Sequence, residues 1–280
     1  MLTIEQKEIR KQGLGATDCA VVMGLSHYKT QYELWLEKTG RKEADMILSD
    51  DRLHLRHAHE ETISREYARR KDVKLRRVNQ TIFHKRLPFM LCNLDRVIIG
   101  QKKIVECKSA SGFMRGYWGE TGSDDAPIEY LLQVQHQMSC AEYEDSDIAA
   151  LIDIDDYRIY STPRNEKIIQ KLEDACEKFW VENVLADIAP APTTRGDLKL
   201  MYPVNNGDFI ELTDSIDAIL LILQNKKDDI KQITSEREEL EKTIIEFIAD
   251  KDGIKQDDKI IATFQANKSG NRTLLIKKRG

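Results

Sequence analysis

Val and Ile crowd two short runs, Leu94–Ile99 and Ile104–Cys107, with Gly100, Gln101, Lys102 and Lys103 between them. A glycine-bearing break between two such runs predicts a hairpin. With Gly100–Gln101 as a two-residue turn, Asp95 falls opposite Glu106. Side chains alternate along a strand, so Glu106 and Lys108 share a face. Three further strand-like segments precede this hairpin, at Lys74–Val78, Gln80–His84 and Phe89–Cys92, and two follow it, at Ile148–Ile154 and Arg158–Ser161. Helical periodicity marks a short polar helix at 3–12, a helix capped by Thr17 or Asp18 and running through Met23, and Tyr32–Thr39 closed by Gly40. It also marks a long helix from about Asp50 to Arg70, one at 130–143 opened by Pro127, and Asn165–Leu185.

Between 186 and 209 the pattern breaks: Pro190, Pro192, Pro203, Gly196 and Gly207 cluster there, which predicts a boundary. The expected organisation is a domain over 1–190, a linker over 191–210, and a long helix with a terminal hairpin over 211–280. From Thr213 to Asp250 there is no Gly or Pro. Positions 216, 223, 230, 237 and 244, with 219, 226, 233, 240 and 247, make two heptad rows in which only Lys226 and Arg237 are not apolar. Such a row predicts a coiled-coil-like helix about 55 Å long. Gly253 ends it, and Lys259–Gln265 and Thr273–Lys277 form a hairpin around Lys268–Asn271.

Composition narrows the class. Of 280 residues 41% are apolar and 32% charged, which describes a globular protein and not a disordered one. No apolar run approaches the roughly 18 residues that span a bilayer, and the first residues carry no signal-peptide core. Cysteines 19, 92, 107, 140 and 176 lie far apart without CxxC spacing, so reduced thiols and a cytoplasmic location are expected, without a zinc or iron–sulfur site. The net charge of −5 excludes a generic polycation, yet Arg65–Arg77 gathers seven basic residues against two acidic ones. That run is a solvated helix end or a patch for a polyanion.

Candidate chemistry sits on the hairpin. Asp95, Glu106 and Lys108 converge at one end of an apolar element, and buried charge must be paired or bound to a metal. A salt-bridged surface hairpin is the plainer alternative. Glu60 shares a helical stripe with Ile63 and Tyr67, where a carboxylate needs a reason. His54, His57 and His59 do not make a metal site, because 57 and 59 project about 200° apart on a helix. Gln133 and Gln137 lie one turn apart on a helix of Leu, Val and Met, a place where glutamine is either a surface residue or a donor to water or phosphate. Gly13 and Gly15 suit either a plain turn or a close approach of backbone to phosphate.

The ordered set of Glu60, Asp95, Glu106-Cys107-Lys108, and then Pro127, Tyr130, Gln133 and Gln135 in the spacing PxxYxxQxQ, resembles the YqaJ-like viral recombinases. These are the phage-lambda-type exonucleases of the PD-(D/E)XK nuclease superfamily, and the likeness runs from about Arg10 to Leu185. The resemblance implies an α/β (α+β) fold, a restriction-endonuclease-like mixed central sheet flanked by helices. It implies metal-dependent 5′→3′ degradation of linear duplex DNA, leaving 3′ overhangs for recombination with a single-strand annealing protein in a bacterial host cell. Family members form ring-shaped trimers, so a homo-oligomer is expected. By the same resemblance Asp95 and Glu106 would bind Mg²⁺ or Mn²⁺ with the Cys107 carbonyl, and Glu60 would help hold a second ion. Lys108 would activate the attacking water with Gln133 in support, and Arg10, Thr17 and Asn93 would form a 5′-phosphate pocket. The chain departs from the family at three of these places: Thr17 stands for serine, Asn93 for a small hydroxyl or proline, and Arg56 for a helix glycine. An endonuclease of the same superfamily and a non-catalytic DNA-binding adaptor are the alternatives.

Overall fold

The protein was analysed as a computed structural model, which describes residues 9, 12–42, 50–267 and 269–277. Most of the helix expected at 3–12, with Arg10, lies outside the described residues. The first elements are small: β1 (Leu14–Gly15), α1 (Cys19–Val22) and α2 (Gln31–Lys38). A capping box starts α2, in which the Glu33 amide donates to the Thr30 hydroxyl and the Thr30 amide to the Glu33 carboxylate. Then come α3 (Asp50–Lys71), β2 (Leu75–Arg77), β3 (Ile82–Phe83), β4 (Met90–Cys92), β5 (Arg96–Ile98) and β6 (Lys103–Ala110). A 3₁₀ turn at Gly112–Tyr117 leads to α4 (Ile128–Ala141), β7 (Asp145–Ile152), β8 (Asp156–Pro163) and α5 (Glu166–Phe179).

The main sheet has the order β2-β5-β6-β7-β8, and only β6 and β7 run parallel. Parallel neighbours need a crossover, which α4 supplies. A smaller sheet, β1-β4-β3, lies beside it. The hairpin register pairs Arg96 with Val105 and Val97 with Ile104, the one that sets Asp95 against Glu106. The first strand is shorter than expected and the second longer, and the turn widens to 99–102 with Gly100 at φ +82°, a conformation glycine adopts without strain.

Helices cover both faces of the sheet. Ile63 and Tyr67 of α3 pack with Ile98, Val105 and Ala149 on one side. The Tyr67 hydroxyl donates to buried Asp147 of β7 at 2.6 Å, which fixes the rotation of α3. On the other side α4 is buried at every position from Leu132 to Cys140. A helix wrapped on all faces this way has no solvent stripe. The glutamines on it are therefore core residues and not surface ones, a correction to the plainer expectation.

Within the stretch expected as a linker, α6 (Arg195–Met201) begins at a second capping box, Thr194 with Asp197. Asp197 is buried and accepts the Thr30 hydroxyl at 2.7 Å, which ties α6 to the start of α2. The chain divides into two compact units, 1–204 and 205–280. The second holds α7 (Asp214–Ile248), β9 (Gly253–Gln256), β10 (Lys259–Ala266) and β11 (Arg272–Ile276), the three strands forming an antiparallel meander. The expected terminal hairpin is β10–β11, and β9 adds a third strand. Gly253 is required there because a Cβ would lie 2.1 Å from the Ala262 carbonyl oxygen.

Candidate active site

Strand parity builds the site. Val105 and Cys107 of β6 turn toward α3, so Glu106 and Lys108 turn toward α4. Glu106 is 3% exposed, and its carboxylate accepts three side-chain hydrogen bonds. Lys108 Nζ and Gln133 Nε2 donate to Oε1 at 2.7 and 2.6 Å, and Gln137 Nε2 donates to Oε2 at 2.7 Å. Lys108 also donates to Gln133 Oε1 at 2.8 Å, closing a triangle, and its ammonium lies 4.7 Å from the centre of the Tyr130 ring. Asp95, one residue before β5, accepts the Cys107 amide at 2.9 Å. Glu106 is thus held on the lysine side of the site while Asp95 closes the other.

The electrostatics of this cluster leave it short of positive charge. Burial pushes the Asp95 carboxyl well above the ordinary carboxylate range, the Glu106 charge pushes it further, and Lys108 offsets only part. At Lys108 burial pulls the ammonium down, but Glu106 and Asp95 outweigh it and hold it up. The two carboxylates, Asp95 and Glu106, offer hard oxygen donors of the kind Mg²⁺ and Mn²⁺ take. The residues present therefore fit one such ion. Among the described residues no three His, Cys, Asp or Glu side chains are gathered closely enough to hold a metal.

Glu60 faces an arginine. Arg96, next to Asp95 but turned to the α3 face, is 4% exposed. It donates to Glu60 Oε1 at 2.5 Å, to Glu61 Oε2 at 2.9 Å and to its neighbour's carbonyl, that of Asp95, at 2.7 Å. Glu60 is near enough for its charge to raise the Asp95 carboxyl further, yet its side chain is committed to a guanidinium. His54, His57 and His59 are exposed on α3.

Of the residues expected at a 5′-phosphate, Thr17 and Asn93 are described and stand on different segments of the chain. Asn93 approaches the cluster through its backbone carbonyl, which accepts Gln137 Nε2 at 3.2 Å, while its side chain accepts the Thr81 hydroxyl. Thr17 lies exposed in the turn before α1, and Arg10 is outside the described residues. Gly13 answers to packing: a Cβ there would meet the Phe89 carbonyl oxygen at 2.4 Å, where β1 closes on β4. The sequence reading gave Gln133 a place at the site but assigned none to Gln137 or Arg96. Gln137 had a usable signal, its position one turn from Gln133. Arg96 had a fainter one, a charge inside a strand of Val and Ile.

A mixed sheet flanked by helices, with Asp95 just before one strand and an ExK tripeptide on the next, defines a protein of the PD-(D/E)XK nuclease superfamily. The family comparison makes it specific: residues 5–144 match the YqaJ-like viral recombinase domain, and the chain belongs to that family. A relative in Bacillus subtilis (strain 168), the uncharacterized protein YqaJ, is 31% identical over 246 residues, which covers 84% of this chain and 75% of that protein. The alkaline exonuclease LHK-Exo of Laribacter hongkongensis shares the fold, with a TM-score of 0.52 and 18% identity over 66% of this chain and 94% of that one. Its complex with dAMP superposes with a TM-score of 0.53, also at 18% identity, over 72% of this chain and 98% of that one.

Proposed function

We propose that the protein is a metal-dependent 5′→3′ exonuclease that degrades linear double-stranded DNA to leave 3′ single-stranded overhangs. The observation that carries this reading is Glu106, gripped by Lys108, Gln133 and Gln137 and set beside Asp95. Asp95, Glu106 and the Cys107 carbonyl would hold Mg²⁺, for which Mn²⁺ can substitute. The bound ion would polarise the scissile phosphate and make water a better nucleophile at neutral pH. Lys108 would orient that water, a role supported by Gln133, which fixes its ammonium by accepting from it. A second ion at Glu60 requires the carboxylate to be shared with or released from Arg96.

The direction of attack needs a grip on the terminal 5′-phosphate, which we assign to Arg10, Thr17 and Asn93. Arginine suits the task because its planar fork can bond two phosphate oxygens at once. In this reading the partners are double-stranded DNA ends, further copies of the chain in a ring, and a single-strand annealing protein that coats the overhang in a bacterial host cell. Among the described residues no helix is long and apolar enough to cross a membrane.

The deciding experiment is digestion of linear duplex labelled at one 5′ or one 3′ end, with Mg²⁺ and with chelator, beside closed circular plasmid. Early release of the 5′ label, no cleavage in chelator and an intact plasmid are expected. Lys108→Ala should lower the rate by at least about a hundredfold while the fold, checked by circular dichroism at the assay temperature, stays intact. Nicked or linearised plasmid would make the protein an endonuclease, and no cleavage of any DNA with either metal would make it a binding protein.

A further inference from the structure

Directly after the ExK strand stands a feature that the chemistry above does not use. On the 3₁₀ turn Gly112–Tyr117, Phe113 is 97% exposed and Tyr117 68%. One exposed aromatic ring is ordinary on a protein surface. This pair differs in how firmly its turn is held, and in what holds it. At the start, the Ser111 hydroxyl accepts the Phe113 amide, and Gly112 fits so closely that a Cβ would come 2.7 Å from the Asp153 carboxylate. In the middle, Arg115 pairs with Asp156 at 3.1 Å, and Asp156 is held in turn by Arg158 at 2.6 Å. At the end, Trp118 is buried, its carbonyl accepts from Arg158 at 2.9 Å, and its ring stacks on Tyr130 at 5.4 Å.

Tyr130 is the ring that carries the Lys108 ammonium. The turn is therefore linked to the reactive lysine through two stacked rings, Trp118 and Tyr130, and Tyr117 directly precedes Trp118 in the chain. Exposed Tyr28 and Arg56 are close enough to Tyr130 for their charges to act on its hydroxyl. The turn that carries Phe113 and Tyr117 cannot move without breaking the Arg115 pair or the Trp118 stack.

We propose that Phe113 and Tyr117 form a stacking platform for an unpaired base of the DNA strand that enters the site. The proposal rests on the nuclease reading above and deepens it. Glu106 lies in a recess between the sheet and α4, so a duplex can deliver one strand there only by drawing it from its complement. A base freed this way exposes both π-faces to water, and a rigid aromatic ring recovers that stacking whatever the base. A fixed platform beside the lysine would keep the opened strand from re-pairing while its backbone reaches the carboxylates.

The test uses the full-length protein in chelator, so that nothing is cut, with a 5′-phosphorylated single-stranded oligonucleotide carrying 2-aminopurine near its 5′ end. Wild-type protein, Phe113→Trp, Phe113→Leu and Phe113→Ala are compared for affinity and for the change in 2-aminopurine emission. Expected are wild-type-like binding and emission change with Trp, and about tenfold weaker binding with the emission change lost in both Leu and Ala. Leu serves as the discriminating variant because it keeps an apolar contact without a π-face. Leu or Ala binding with wild-type affinity and emission change overturns the platform, as does a wild-type protein that leaves the emission unaltered. A surface that instead docks another protein gives that same unaltered emission. Cleavage of duplex by wild-type protein with Mg²⁺ is scored separately: a protein that cuts but fails the emission test loses the platform alone, whereas one that never cuts loses the nuclease reading.

Discussion

Asp95 and Glu106 are a pair of acids that the fold forces together against their mutual repulsion. The folded-state carboxyl of Asp95 sits above its unfolded value, through burial first and the charge of Glu106 second. A raised carboxyl contributes stability only while it is protonated, so this contribution is full below the unfolded value near 4 and is lost as the pH rises through the folded one. At pH 7–8 the fold must therefore hold at Asp95 a proton that the unfolded chain has released, which destabilises the metal-free protein. Asp95→Asn keeps an acceptor for the Cys107 amide and removes the charge. It should raise the melting temperature in chelator at pH 8 by roughly 2–5 °C, the gain shrinking toward pH 4. Added Mg²⁺ should stabilise the wild type and not the variant. A variant that melts at or below the wild type at pH 8 would remove the case for a strained acid pair. At this scale the alternation of β6 made Glu106 and Lys108 legible as neighbours, since parity is a local property. The grip of Arg96 on Glu60 was not legible, because it joins residues 36 apart in sequence through the packing of α3 on the sheet.

The helix α4 concentrates what periodicity alone leaves ambiguous. Its boundaries follow from Pro127 and from the left-handed Glu142 that ends it, and its apolar rows packed as expected. Its polar residues took their meaning from the strand and the helix packed against it. Gln133 and Gln137 reach β6, Gln135 accepts the Asn165 amide at the cap of α5, and Ser139 donates to buried Glu173 of α5 at 2.6 Å. Gln137→Leu would leave Glu106 Oε2 and the Asn93 carbonyl without their shared donor. Losing a hydrogen bond to a buried charge costs about 2–3 kcal/mol, which urea unfolding in chelator would register. A cost under about 0.5 kcal/mol would mean that water replaces the amide. His136 on the same helix gives a pH test. It is fully buried against the Leu91 carbonyl at 3.1 Å, and burial depresses its pKa to about 4. Between about 4 and the unfolded value near 6.5 the unfolded chain binds the extra proton, so stability falls as pH falls through that window. His136→Gln keeps a donor for the carbonyl without titrating. The stability of wild type relative to this variant should drop by about 2–3 kcal/mol between pH 7.5 and 4.5, and a constant difference would show that His136 titrates in the fold as it does in the unfolded chain.

The molecule as a whole presents two units of unlike character. The first buries its apolar residues around two sheets, and the second spends a helix of 35 residues, about 52 Å, on almost no burial of its own. Its length was legible because nothing between Thr213 and Asp250 breaks a helix. The docking of α6 inside the proline-rich stretch was not, since it depends on Asp197 finding Thr30 from 167 residues away. Along α7 the heptad residues Ile216, Ile219, Leu223, Ile230, Ile233, Leu240 and Phe247 are each 49% exposed or more. Contiguous apolar surface on this scale marks an interaction face, and a heptad row is the pattern by which helices of separate chains pack. Lys226 and Arg237 interrupt the row, but each already has a local acid, Asp229 at 3.2 Å and Glu241 at 3.4 Å. Their ammonium and guanidinium can therefore stay at the edge of a seam with only their stems inside it. Full-length protein should sediment as an oligomer at micromolar concentration. Leu223→Glu with Ile230→Glu should shift it to monomer, since two carboxylates in a seam need partners that the row does not offer. The helix itself should survive, because glutamate is a good helix former, so circular dichroism should be unchanged. A wild type that sediments as a monomer, or a double variant that keeps the oligomer's mass, would show that α7 serves some purpose other than self-association.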